Sequence, residues 1–197
     1  MILAVCFFLF GFLVAFVTTP IVIRLSQRGI GLDDPNETRK RHDVPIPRIG
    51  GAPIMLAVSL GLGLIFFAQP AEAMNWFPVL TGSLLMYGLG LWDDLRPLGA
   101  RKKLAGQLLT ATLVYFMGLN VERVTYPGGG WSVELGAMSY FVTVFWLIAV
   151  PNIINLIDGF DGLAGGLGLF MAVTLGIVGL HNEQLSVAWY AFTMAGA

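Results

Sequence analysis

The chain has 197 residues, 56% of them apolar and only 12% charged, with a mean hydropathy of +0.78. Soluble domains run at roughly 45–50% apolar and about 25% charged, so the charges that a water-facing surface needs are missing. A soluble globular protein, a disordered chain and a disulfide scaffold are excluded together, the last because Cys6 is the lone cysteine. A net charge of −1 gives no basic footprint for nucleic acid. What remains is an integral membrane protein.

A helix that crosses about 30 Å of hydrocarbon takes roughly 20 mostly apolar residues. Such runs fall at residues 1–23, 49–68, 77–92, 104–119, 138–157 and 163–180. A seventh run begins at Leu185 and reaches Ala197 before it is long enough to cross. The expected fold is therefore an all-α polytopic membrane protein, a single domain over 1–197 with six transmembrane helices and a truncated seventh. Ending within a helix predicts a longer parent. The first run has no basic leader and is too long for the apolar part of a signal peptide.

Basic residues set the orientation. Arg24, Arg28, Arg39, Lys40, Arg41 and Arg48 lie between runs one and two, and Arg96, Arg101, Lys102 and Lys103 between runs three and four. Only Arg123 lies on the other side. The crowded side is predicted to be cytoplasmic, which puts the N-terminus outside. All the aspartates fall on that same side, whereas Glu72, Glu122, Glu134 and Glu183 lie opposite. Residues 120–136 read as a small extracytoplasmic β-hairpin between helices four and five: VERVTY, a Pro-Gly-Gly-Gly turn, then WSVEL.

Two stretches carry candidate chemistry. In GLGLWDDLRPLGARKK, Asp93 and Asp94 follow an apolar run directly. A carboxylate at the bilayer centre costs about 2.5–3.5 kcal/mol on insertion scales, so the pair belongs at the interface or in a wet cavity. The plain reading is a helix stopped by charge and turned by Pro97 and Gly99. The functional one is a carboxylate pair beside ammonium groups, able to hold a divalent cation and the phosphates on it.

In VPNIINLIDGFDGLAGGLG, Pro151 should kink its span, and Asn152 and Asn155 share one helix face. Asp158 and Asp161 follow at the same interval, each directly before a glycine. The plain reading is a polar hairpin in which Gly162, Gly165, Gly166 and Gly168 pack helices. It does not account for two amides inside the membrane segment, where polar groups mark function. Four oxygen-bearing side chains at a helix end suit a hard cation such as Mg²⁺. The first loop, DDPNETRKRHDVPIPRIGG, enforces topology and touches anionic lipid, with Pro45, Pro47, Gly50 and Gly51 stiffening a cavity wall.

Three blocks, RKRHDVPIPRIGG, DDLRPLGARKKLAGQ and NIINLIDGFDGLAGG, give a resemblance in order and spacing to the polyprenyl-phosphate N-acetylhexosamine-1-phosphate transferases. These are the WecA/TagO/MraY-like membrane enzymes, and the chain looks closer to the WecA/TagO branch. The resemblance implies transfer of an N-acetylhexosamine 1-phosphate, GlcNAc-1-phosphate first among them, from a UDP-sugar to polyprenyl (undecaprenyl) phosphate. UMP is released at the cytoplasmic face of the bacterial plasma membrane, the first membrane step of an envelope polysaccharide. It implies Mg²⁺, with Mn²⁺ as the alternative, and partners that are a UDP-N-acetylhexosamine, a polyprenyl phosphate and the bilayer. Oligomeric state stays open, a homo-oligomer included.

By motif position, Asp93 and Asp94 match the aspartate pair assigned to the lipid phosphate or the metal, and Lys103 the lysine on the transferred phosphates. Asn155 matches a metal ligand supported by Asn152, Gly159 and Asp161 match the stretch that meets uracil, and Asp158 belongs to the polar site. His42 and Arg48 receive no catalytic role. Family members continue with a later aspartate and a histidine-containing loop that this sequence lacks, so these 197 residues alone are predicted to be inactive. A non-catalytic scaffold and a transporter are the competing classes. The transporter is disfavoured because the acids cluster at one face and the spans show no internal repeat.

Overall fold

The computed structural model describes residues 1–28, 49–126, 128–158 and 162–197. Within them the helices are α1 (Ile2–Gln27), α2 (Ala52–Ala68), α3 (Ala73–Leu95), α4 (Ala100–Phe116), α5 (Met138–Ile157), α6 (Leu163–His181) and α7 (Leu185–Gly196). A single 3₁₀ turn, Pro70–Glu72, leads into α3, and strands β1 (Arg123–Thr125) and β2 (Ser132–Glu134) lie between α4 and α5.

Each apolar run of the sequence becomes a helix, but crossing a bilayer asks for more than helicity. Helices α1, α5 and α6 are long and apolar enough to span alone, while α2 reaches that standard only together with Pro70–Leu95, across a bend of 116°. By length and composition the described helices thus include three candidate spans, or four with the bent pair, and do not by themselves show the six expected. The reason lies in the short members. Helix α4 has 17 residues, about 26 Å at 1.5 Å per residue, and opens on Arg101, Lys102 and Lys103. Helix α2 also has 17 residues.

Backbone contact holds one side of the molecule together. A methyl group at Gly11 of α1 would fall on the carbonyl oxygen of Thr193 in α7, and one at Gly196 would fall on that of Phe8. Gly61 of α2 meets the Thr193 side chain in the same way. Small residues are what let membrane helices approach this closely. Around that contact Phe7 stacks on Trp189 at 5.2 Å, with Leu62 and Ile65 completing the buried cluster and Trp76, Leu80 and Tyr190 packed against it.

The other side is the α3–α4–α5 group. Gly82 leaves room for Val114 and Gly106 for Leu89, so α3 and α4 pack as a tight antiparallel pair. The turn between them uses Gly99 at φ +78, a left-handed conformation that glycine adopts without strain. A second left-handed glycine, Gly162 at φ +78, starts α6. Pro151 lies inside α5, which runs as one helix from Met138 to Ile157.

The hairpin forms where the turn chemistry places it. Arg123 pairs with Glu134, Val124 with Val133 and Thr125 with Ser132 in an antiparallel ladder. The Val121 N–H donates to Thr143 Oγ1 at 2.9 Å, which roots the hairpin on α5.

Candidate functional site

The end of the bundle formed by the close of α3, the start of α4 and the close of α5 collects the polar side chains. Asp93 lies in the last turn of α3. Its Oδ1 accepts the Leu98 N–H at 3.0 Å and its Oδ2 accepts Lys103 Nζ at 2.8 Å. Both carboxylate oxygens are therefore engaged in fixing the α3–α4 turn and in aiming Lys103. Both side chains are about four-fifths covered, at 22% exposure for Asp93 and 23% for Lys103. Asp94, one residue on and about 100° further round the helix, is exposed.

Lys103 also lines a cavity of 140 Å³ with Met86, Leu89, Gly90, Gln107 and the α5 residues Pro151, Asn152 and Asn155. Two sequence blocks far apart in the chain thus meet in one polar recess. Asn152 Nδ2 donates to Gln107 Oε1 at 2.9 Å, tying α5 to α4, and to the Ile148 carbonyl at 2.7 Å. Asn155, one turn further, is exposed at the rim. Asp158 caps α5, its N–H donating to the Ile154 carbonyl at 3.0 Å, with its side chain exposed. Beside this recess, and sharing Met86 and Pro151 with it, lies an apolar cavity of 270 Å³ bounded by Gly82, Ala111, Val114 and Leu147.

The structure therefore brings together Asp93, Lys103, Asn152 and Asn155, and leaves Asp94 and Asp158 exposed on the helix ends. Gly159, Asp161, His42 and Arg48 lie outside the described residues. Gln107 was missed by the sequence reading. It is 6% exposed, and an amide within an apolar helical run is the signal that marks it. A larger cavity of 600 Å³, lined by Gln69, Glu72, Glu183 and Gln184, sits at the opposite end and contains none of these residues.

No group of three His, Cys, Asp or Glu side chains is placed to hold a metal among the described residues.

Comparison with known proteins agrees with the motif blocks. The pattern of glycosyl transferase family 4 matches residues 76–197. A probable undecaprenyl-phosphate N-acetylglucosaminyl 1-phosphate transferase of Bacillus subtilis (strain 168) is 34% identical over 187 residues, covering 95% of this chain and 51% of that protein. An undecaprenyl-phosphate alpha-N-acetylglucosaminyl 1-phosphate transferase of Yersinia pestis is 30% identical over 188 residues, 95% of this chain and 49% of its own length. The protein of the same description in Escherichia coli (strain K12) is 28% identical over 175 residues, 88% and 47%. The chain thus spans about half the length of the curated relatives it matches.

Proposed function

Because the chain belongs to glycosyl transferase family 4, we propose that it supplies the phosphate-handling half of an enzyme that transfers an N-acetylhexosamine 1-phosphate. The donor is a UDP-N-acetylhexosamine, GlcNAc in the first instance, and the acceptor is undecaprenyl phosphate. One observation carries the reading: Lys103 from the DDLRPLGARKK block and Asn152 and Asn155 from the NIIN block line the same 140 Å³ recess.

In this reading a phosphate oxygen of the lipid attacks the sugar-linked phosphorus of the nucleotide sugar. The bond from that phosphorus to the bridging oxygen breaks, and UMP leaves. A phosphate monoester is largely ionised near neutral pH, its second pKa being about 6, so the acceptor needs no strong base. Positioning and charge neutralisation do most of the work in phosphoryl transfer. Lys103, held by Asp93, presents an ammonium group to the phosphates, and Asn152, held by Gln107, fixes the wall opposite. Asp94 serves the acceptor side in this reading by its place in the motif, with its side chain exposed at the end of α3. Asp158, Gly159 and Asp161 take the nucleotide end. Mg²⁺, or Mn²⁺ in its place, belongs to the reading with Asn155 among its ligands, and when bound it would neutralise phosphate charge.

The topology that goes with this function has six spans, an outer N-terminus and the recess on the cytoplasmic face of a bacterial plasma membrane. It is supported by the basic residues of the first and second loops. The apolar cavity beside the recess suits the first units of a polyprenyl chain. Since relatives are about twice as long, turnover is proposed for a protein of that length and not for these 197 residues alone.

The test is UMP release from UDP-GlcNAc with undecaprenyl phosphate in the full-length protein, beside Asp94→Asn and Asn155→Ala. Loss in both variants supports the transferase. Unchanged release in both would favour a scaffold, a reading that draws on Asp93, whose two oxygens serve the α3–α4 turn.

A further inference from the structure

The hairpin between α4 and α5 has two unlike faces. Its ladder places Val124 opposite Val133, and the next pair outward, Tyr126 and Trp131, stacks at 5.6 Å with the Tyr126 N–H donating to the Trp131 carbonyl. Alternation along a strand puts these four side chains on one side. The other side holds Thr125, Ser132 and the Arg123–Glu134 ion pair. All four apolar residues are open, at 49% for Val124, 52% for Tyr126, 60% for Trp131 and 46% for Val133. A two-stranded hairpin with such a face uncovered is marginal in water.

What covers it follows from where the hairpin is tethered. Strand β2 ends at Glu134 and the apolar span α5 begins at Met138. The start of a span lies at the bilayer surface, and the four Cα–Cα steps back to Glu134 reach no more than about 15 Å from it. The bond from Val121 to Thr143 holds the other strand's base against that same helix. At the same end of the bundle Phe116 closes α4 and Met138 and Phe141 open α5, all apolar and open at 75%, 56% and 62% exposure. Tyr and Trp are the residues that favour the headgroup region, with a ring in apolar surroundings and a polar atom toward water.

We propose that the Val124–Tyr126–Trp131–Val133 face of the hairpin beds into the lipid headgroup layer at the end of the bundle opposite the polar recess. The hairpin is then an interfacial anchor, and the Arg123–Glu134 face looks to water. The proposal needs only that the chain is a membrane protein and is independent of the transferase reading.

Nitroxide labels test it in the intact protein, on a Cys6→Ser background, in vesicles of phosphatidylethanolamine and phosphatidylglycerol. One label replaces Val133 (Val133→Cys) and one its neighbour on the other face (Ser132→Cys). The expected result is a ratio of oxygen to water-soluble nickel chelate accessibility several-fold higher at 133 than at 132. Equal access of the chelate to both overturns the proposal, since the face is then in water. Shielding of the 133 label from both reagents overturns it as well, since protein is then the cover. A label-free reading comes from brominated lipids: they should quench wild-type fluorescence more than that of Trp131→Phe. Equal quenching of the two would count against the anchor.

Discussion

Asn152 of α5 donates its amide to Gln107 of α4 at 2.9 Å, although the two stand 45 positions apart in the chain. The same nitrogen also reaches the Ile148 carbonyl, so the side chain is fixed from two directions. Asn155, one turn on, then takes its place at the rim of the recess because its helix is held there. One side chain can in this way set where another stands.

That relationship predicts coupling. Gln107→Leu and Asn152→Leu should each destabilise the protein, and the double variant should cost less than the two summed. The interaction is expected near 0.6 kcal/mol, about the mean for interhelical pairs in membranes, and a thermal-unfolding double-mutant cycle in detergent reads it. Additivity to within experimental error would mean that the bond contributes nothing.

Lys103 and Asp93 should separate by magnitude. Lys103→Met removes the ammonium group from the recess and is expected to lower UMP release by about 10²–10³-fold, the scale of a lost charge-stabilising donor. Asp93→Asn keeps an oxygen for the Leu98 N–H while weakening the hold on Lys103, so a smaller loss, of about tenfold, is expected. Equal losses would mean that Asp93 acts on the substrate directly.

Chelation should abolish turnover by the full-length protein, and Mg²⁺ should restore it. Asn155→Ala should then raise the Mg²⁺ concentration needed for half-maximal rate by about tenfold or more. An unchanged metal requirement in that variant would remove Asn155 from the ligand set.

Gly11 and Gly63 offer a contrast in packing. Gly11→Leu drives a side chain into the Thr193 backbone, and overpacking of this kind costs about 1–3 kcal/mol or more. Gly63 has nothing within 4 Å of where a methyl would stand, so Gly63→Ala should be neutral. Melting temperatures of the two variants decide the point.

Much of the architecture was legible before any coordinates because hydropathy and helicity coincide in a membrane chain. The run at 138–157 became α5 without a residue of difference, and the turn glycines announced the hairpin. Spanning was less legible: α2 and α3 are separate apolar runs, yet the Gln69–Pro70 junction bends the chain by 116°. The site was legible as two motifs whose proximity no spacing rule could supply, since Lys103 and Asn152 meet only through the packing of α4 on α5. Gln107 escaped notice because one amide among apolar neighbours looks like noise until its partner is seen. Asp93 and Asp94 read as a pair, but helical rotation sends them different ways, one to the turn and one to the surface.

The contact between α1 and α7 joins the first helix of the chain to the last one described. Ribosomes add about 5–20 residues per second, so the interval between Gln27 and Leu185 lasts roughly 10–30 s. For that time α1 can pack on α2 but lacks the α7 backbone that its Gly11 notch receives. Docking of α7 into that notch is accordingly a late event in biosynthesis, set by the order in which the helices are made and not by the strength of the contact.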